Sequence, residues 1–135
     1  MNEQGSAPEA VATAPAVILV VDDDAAVRQV TARVLEREGY RVLQAGEGAE
    51  ALRVAREHSG PLDLLLTDVV MPGMNGRELG EKLAAVRPET RLLYMSAYTE
   101  DEAILRGIRV SEVGFLYKLF SLEGLASAVR DVLSV

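Results

Sequence analysis

Short apolar runs, each closed by polar residues, punctuate the chain from Val17 onward. They are Val17–Val21, Arg41–Ala45, Leu62–Thr67, Arg91–Met95 and Val113–Tyr117. Runs of this length, rich in Val and Leu, predict buried strands. Segments with helical period lie between them. Ala25–Glu38 brings Val27, Val30, Val34 and Leu35 to one face, with Asp24 as its cap and Gly39 as its stop. Glu47–His58 turns Leu52 and Ala55 inward and halts at Gly60-Pro61. Arg77–Val86 presents Leu79, Leu83 and Val86 together, and Pro88 lies just beyond. Thr99–Arg109 is a weaker helix, because Gly107 costs about 1 kcal/mol relative to Ala. Leu122–Leu133 carries Leu122, Leu125, Ala126, Val129, Val132 and Leu133 at helical spacing, with Ser121 as its cap. Residues 1–15, rich in Ala, Pro, Glu, Gly and Ser without apolar period, predict a linker or tail. The folded unit is expected over 16–135.

Strands alternating with helices across short connections predict a parallel sheet covered on both faces. Right-handed crossovers leave few topologies. The five-strand solution is a single doubly wound (βα)5 domain, flavodoxin-like, with strand order 2-1-3-4-5. Strands 1 and 3 are then neighbours, and strands 4 and 5 share the same rim.

The polar residues that close the strands carry the chemistry. Asp22, Asp23 and Asp24 follow the first strand, Asp68 the third, Ser96 the fourth and Lys118 the fifth. Open α/β sheets bind ligands outside the carboxyl ends of their strands. Asp24 reads as a helix cap. Asp22, Asp23 and Asp68 would converge, and two unit charges at 4 Å repel by about 4 kcal/mol at an effective dielectric of 20. Either one carboxylate keeps its proton or a cation sits among them. An all-oxygen set suits a hard divalent ion, and Mg²⁺ best when phosphate is also present. Lys118 adds positive charge and Ser96 a hydroxyl donor. The backbone N–H groups after Asp68 (Val69, Val70) and after Ser96 (Ala97) would complete a phosphate cradle. Such a set supports phosphoryl transfer onto a carboxylate, catalysed by positioning and by neutralising the equatorial oxygens. His58, at a helix C-terminus, complements the dipole and is given no catalytic role. Met71 and Met74 read as loop packing.

Bulk composition narrows the remaining classes. The 135 residues allow one ordinary domain. With 49% hydrophobic residues the chain can build a core, and the absence of cysteine excludes disulfides and thiolate metal sites. A net charge of −7, with Arg28, Arg33 and Arg37 scattered along one helix, argues against a nucleic-acid surface. No apolar stretch approaches the ~18 residues of a membrane span, and no secretory signal is recognisable. The expectation is a soluble cytoplasmic domain without membrane insertion.

Together these residues resemble the response-regulator receiver domain. The matching segments are Ile18–Asp24, Leu66–Gly76, Met95–Tyr98 and Lys118–Phe120, and the resemblance spans about Val17 to Val135. The stretch Tyr94–Asp101 resembles receivers of hybrid sensor histidine kinases in particular. The resemblance implies a two-component or phosphorelay phosphoacceptor. It is not an enzyme on other substrates and catalyses only its own phosphorylation and dephosphorylation. Asp68 matches the phosphoacceptor, charged from a phosphohistidine of a sensor histidine kinase or a histidine phosphotransfer protein. Asp23 matches a direct Mg²⁺ ligand, Asp22 a carboxylate that holds the metal, often through water, and Val70 the backbone carbonyl ligand. Ser96 matches the switch hydroxyl, Lys118 the phosphate-pairing lysine and Phe115 the switch aromatic. A downstream protein is implied on the face formed by the fourth helix, fifth strand and fifth helix, which phosphorylation reshapes. The cognate kinase, stimulus and output are not legible. A single-domain regulator, a phosphorelay intermediate and a receiver taken from a larger kinase are all compatible with the sequence.

Three departures from the family pattern carry expectations. Leu119 replaces the usual proline after the lysine. A cis bond before a non-proline residue costs roughly 2.5–4 kcal/mol. The Lys118–Leu119 bond is therefore expected to be trans and the loop rebuilt, or the lysine displaced. Val70, two residues after Asp68, cannot orient an attacking water, and Tyr98, two after Ser96, is bulky; a long-lived phosphoaspartate is expected. Asn75 replaces a common loop aspartate.

Rival readings are weaker. Gly46-Glu47-Gly48-Ala49-Glu50-Ala51 satisfies the G-x-G-x-x-G/A dinucleotide pattern, but Glu47 and Glu50 give that helix N-terminus the wrong sign for a pyrophosphate. A Mg²⁺-dependent aspartyl phosphatase of the haloacid-dehalogenase type needs a second aspartate where Val70 stands. A receiver fold kept as a phosphorylation-independent interaction module is the alternative that the Leu119 substitution sustains.

Overall fold

The computed structural model describes residues 14–96, 114–117 and 122–134. Along the chain run β1 (Val17–Val21), α1 (Ala25–Arg37), β2 (Arg41–Ala45), α2 (Gly48–Glu57), β3 (Leu64–Asp68), α3 (Gly76–Val86), β4 (Arg91–Ser96), β5 (Gly114–Tyr117) and α4 (Leu122–Leu133). The strands form one 5-stranded parallel sheet in the order β2-β1-β3-β4-β5. This is the doubly wound, flavodoxin-like topology expected from the alternation of elements. The helix expected over Thr99–Arg109 and most of the linker expected over 1–15 lie outside the described residues.

Side-chain alternation along the central strands splits the core in two. Val17, Leu19, Val21 and Leu65 point to one face of the sheet, against Ala51, Leu52 and Ala55 of α2 and Leu79 and Leu83 of α3. Ile18, Val20, Leu64 and Leu66 point to the other, against Val34 and Leu35 of α1 and Leu125 and Val129 of α4. Burial on both faces explains why these strands are continuous apolar runs and not alternating ones. Each of the valine, leucine and isoleucine side chains contributes about 1.5–3 kcal/mol of transfer free energy. Among the loop methionines, Met71 is buried in the first cluster and Met74 packs against it.

Several sequence expectations need correction. Val30 is 51% exposed, and Thr31 and Ala32 are buried with Val34 and Leu35. The buried stripe is centred between Thr31 and Leu35, and Val30 lies roughly 120° around the helix from it. Val86, expected inward, is 44% exposed at the last residue of α3, where the chain leaves the sheet. The third strand begins at Leu64, two residues later than expected, and extends to Asp68. Asp63 is used instead as a clamp: its N–H donates to the Val17 carbonyl at 2.9 Å and its Oδ2 accepts from the Val17 N–H at 2.7 Å. The Leu62 carbonyl accepts from Thr90 Oγ1 at 2.7 Å, while the Leu62 side chain stays buried.

Arginines close the end of the sheet opposite the strand-tip carboxylates. Arg87 follows α3 and sends Nε and Nη2 to the Ala55 carbonyl at 3.1 and 2.9 Å and Nη1 to the Gly60 carbonyl at 2.6 Å. Its Nη2 also donates to the His58 carbonyl. These carbonyls belong to the C-terminal turn of α2 and the loop after it, so one planar guanidinium satisfies groups the helix leaves unpaired. Arg91 Nη1 does the same for Val132 and Leu133 at the end of α4.

Candidate functional site

β1 pairs with β2 and β3 up to Val21, and the chain then turns through three carboxylates into α1. Asp22 is fully buried. Its N–H donates to the Ala45 carbonyl at 3.3 Å, and its Oδ1 accepts from the Asp24 N–H at 2.9 Å. Asp23 is exposed. Asp24 is the helix cap expected of it, its Oδ1 accepting from Ala26 and Val27 N–H at 3.0 and 3.2 Å. The acidic triplet therefore divides its labour, with one residue for the helix and two for the site.

Asp68 ends β3 opposite Met95 of β4 and is 6% exposed. The loop after it folds back tightly. The Gly76 N–H donates to the Val69 carbonyl at 2.8 Å. A Cβ on Gly76 would stand 2.1 Å from the Asp68 carbonyl oxygen, so α3 can start here only on glycine. Asn75 caps α3 in a reciprocal box: its side chain accepts from Glu78 N–H at 2.8 Å, and Glu78 Oε1 accepts from Asn75 N–H at 3.1 Å.

The result is a cluster. Asp22, Asp23 and Asp68 each offer a carboxylate oxygen, all within 4.8 Å of one another. Carboxylates at that separation on two adjacent strand tips, one fully buried and one nearly so, suit a hard cation with oxygen ligands. The donor set therefore fits Mg²⁺.

The other expected site residues are distributed as follows. Ser96 ends β4 with its backbone paired to Tyr117 of β5, one step beyond the Met95 that faces Asp68. Phe115 lies on β5 opposite Tyr94. Val70 is 49% exposed on the loop after β3. The Val69 N–H donates to the Met95 carbonyl at 2.9 Å, so it would join a phosphate cradle only by leaving that bond. Ala97, Tyr98, Lys118 and Leu119 lie outside the described residues, and with them the expectation about the Lys118–Leu119 bond.

The glycine-rich decoy is explained. Glu50 Oε1 accepts from the Gly46 N–H at 2.7 Å, so a carboxylate of the protein itself fills the turn where a pyrophosphate would need to lie. Sequence reading missed Arg28, whose Nη1 donates to the Asp22 carbonyl at 2.7 Å. It also missed the Asn75–Glu78 box, although the Asn-x-x-Glu spacing announces one. Among the described residues no helix is long and apolar enough to cross a membrane.

Comparison with known proteins agrees with this geometry. The model of the response regulator receiver domain matches residues 18–130. The chain is 40% identical over 119 residues to the sensor kinase CckA of Brucella abortus (strain 2308), covering 87% of this chain and 12% of that protein. It is 30% identical over 116 residues to sporulation initiation phosphotransferase F of Bacillus subtilis (strain 168), covering 86% and 92%. The crystal structure of the receiver domain from hybrid histidine kinase CckA superposes with a TM-score of 0.73 at 38% identity, covering 87% of this chain and 98% of that one. The chain thus spans a small part of one relative and nearly all of another, and what all of them share with it is the same unit. Sequence motif, sheet order, carboxylate cluster and relatives converge: the chain belongs to the response regulator receiver domain family.

Proposed function

We propose that this receiver is phosphorylated on Asp68, taking a phosphoryl group from a phosphohistidine of a sensor histidine kinase or phosphotransfer protein. The observation that carries the proposal is the meeting of Asp22, Asp23 and Asp68 within 4.8 Å at the tips of β1 and β3. In the transfer, an Asp68 carboxylate oxygen attacks phosphorus as the bond to the histidine nitrogen breaks. Asp22, Asp23, Asp68 and the Val70 carbonyl would hold Mg²⁺, which when bound neutralises charge on the transferring group. Lys118 pairs with the phosphate, and the Ser96 hydroxyl and the amides of Val70 and Ala97 donate to it, with the Val69 amide recruited from Met95. Ser96 and Phe115 then convert phosphorylation into a changed partner face formed by the helix expected over Thr99–Arg109, β5 and α4.

The domain extends over 16–135 in this reading, works in the cytoplasm and engages proteins, not nucleic acid. The similarity to a CckA receiver supports a place beside or within a hybrid kinase. Incubation with acetyl phosphate and Mg²⁺ followed by intact mass tests the reading. The expected result is a gain of one phosphoryl group, dependent on Mg²⁺ and lost in Asp68→Asn. An unmodified wild-type protein would instead mark a phosphorylation-independent interaction module.

A further inference from the structure

The Asp22 carbonyl lies past the hydrogen-bonded ladder of β1, whose register with both neighbours stops at Val21. Arg28, one turn into α1, reaches back over the acidic turn and donates Nη1 to that carbonyl at 2.7 Å. The carbonyl belongs to the peptide unit joining Asp22 to Asp23. Fixing its direction fixes the plane from which both side chains depart, because a peptide unit turns as one rigid body. Other bonds converge on the same turn: Asp22 N–H to Ala45 and Asp24 N–H to Asp22 Oδ1. Arg28 Nη1 is also wedged beside the turn after β2, 3.3 Å from where a Cβ on Gly46 would stand. The guanidinium is therefore held between two strand-end loops, and its donor is spent on backbone and not on a carboxylate oxygen.

We propose that Arg28 is a positioning residue for the carboxylate site, setting the Asp22–Asp23 peptide so that both carboxylates face Asp68. This rests on reading Asp22 and Asp23 as the metal-holding carboxylates. Two physical effects of Arg28 have opposite signs and so can be separated. A bond that orders the ligands tightens Mg²⁺ binding, whereas a positive charge near the ion loosens it. Arg28→Met keeps the apolar stem and removes both bond and charge. Arg28→Lys keeps the charge on a stem one atom shorter, with a point donor in place of a planar fork.

The test uses the full chain. Mg²⁺ affinity is measured by calorimetry, and exchange of the Asp24 amide is measured in metal-free protein. Positioning predicts that Arg28→Met weakens Mg²⁺ binding by about tenfold and speeds Asp24 amide exchange by about tenfold, with Arg28→Lys recovering part of each. Unchanged or tighter Mg²⁺ binding in Arg28→Met overturns the proposal. So does weaker Mg²⁺ binding in Arg28→Met with unaltered Asp24 exchange, because the turn would then stay ordered without the arginine. Should Arg28→Met fail to fold, Arg28→Lys decides: wild-type affinity and exchange in that variant overturn the proposal. If the wild type binds no Mg²⁺, the functional reading fails, and the metal-free exchange comparison still decides whether Arg28 orders the turn.

Discussion

A single methyl group placed on Gly76 should damage this protein more than its size suggests. The added Cβ would lie 2.1 Å from the Asp68 carbonyl oxygen and 3.0 Å from both the Asp68 carbonyl carbon and Val69 Cα. Ordinary contact requires a shift of roughly 1 Å, and every atom in the way is backbone, so no side-chain rotation relieves it. Overpacking of this kind costs about 1–3 kcal/mol. Parting the Gly76 N–H from the Val69 carbonyl adds about 1 kcal/mol. The smaller unfolded-state entropy of alanine returns about 0.4–1 kcal/mol. The expected net loss is about 2 kcal/mol, or roughly 8 °C in Tm for a domain of this size. Gly73→Ala is the internal control. Gly73 lies in the same loop at φ 75 with nothing within 4 Å of its would-be Cβ. Only the left-handed backbone penalises it, by about 1–2 kcal/mol. Urea titration followed by circular dichroism gives both values. Phosphorylation by acetyl phosphate, measured where each variant is folded, should slow more in Gly76→Ala, because the displaced backbone carries Asp68. A Gly76→Ala variant within 1 kcal/mol of wild type, or no less stable than Gly73→Ala, would refute the argument.

Other consequences follow from the same structure. Asp23→Asn removes one charge from a group lying within 4.8 Å; because Asp23 is exposed, metal-free stability should rise by only about 1 kcal/mol, while Mg²⁺ affinity drops in calorimetry. Arg87→Ala should cost about 1–3 kcal/mol in urea unfolding, since it strands partly buried carbonyls at and after the end of α2; Arg87→Lys should recover less than half of that, because an ammonium cannot fork. Burial raises the pKa of the Tyr94 phenol above 10.0. A raised folded-state pKa gives stability that is complete below the unfolded value and is lost as pH climbs through the folded one. Stability of the wild type should therefore fall more steeply above about pH 10 than that of Tyr94→Phe, and equal slopes in the two would argue against this assignment.

Much of this architecture was legible before any coordinates. Buried parallel strands announce themselves as apolar runs, and the right-handed crossover rule converts five of them into one strand order that brings Asp22 and Asp68 to adjacent tips. What escaped was set by contacts between residues distant in sequence or by exact angles. Asp63 looked like part of a strand because nothing local reveals its bond to Val17, 46 residues away. Val30 looked inward because it stands four residues before the buried Val34, yet the stripe centres on Thr31 and Leu35. Arg28 read as one of several scattered arginines until its bond to the Asp22 carbonyl appeared. Gly76 stands in the sequence only as the residue before the helix expected over Arg77–Val86, whereas its need for glycine comes from the approach of the Asp68 backbone.

The central claim is that one oxygen of residue 68 receives the phosphoryl group. The measurement that addresses it most directly is borohydride trapping of protein phosphorylated by acetyl phosphate and Mg²⁺, followed by peptide mass spectrometry. Reduction of an acyl phosphate leaves a homoserine in place of the aspartate. Homoserine at position 68, and at neither 22 nor 23, is the result the account predicts. A trapped residue at Asp22 or Asp23, or none in a folded protein that binds Mg²⁺, would contradict it.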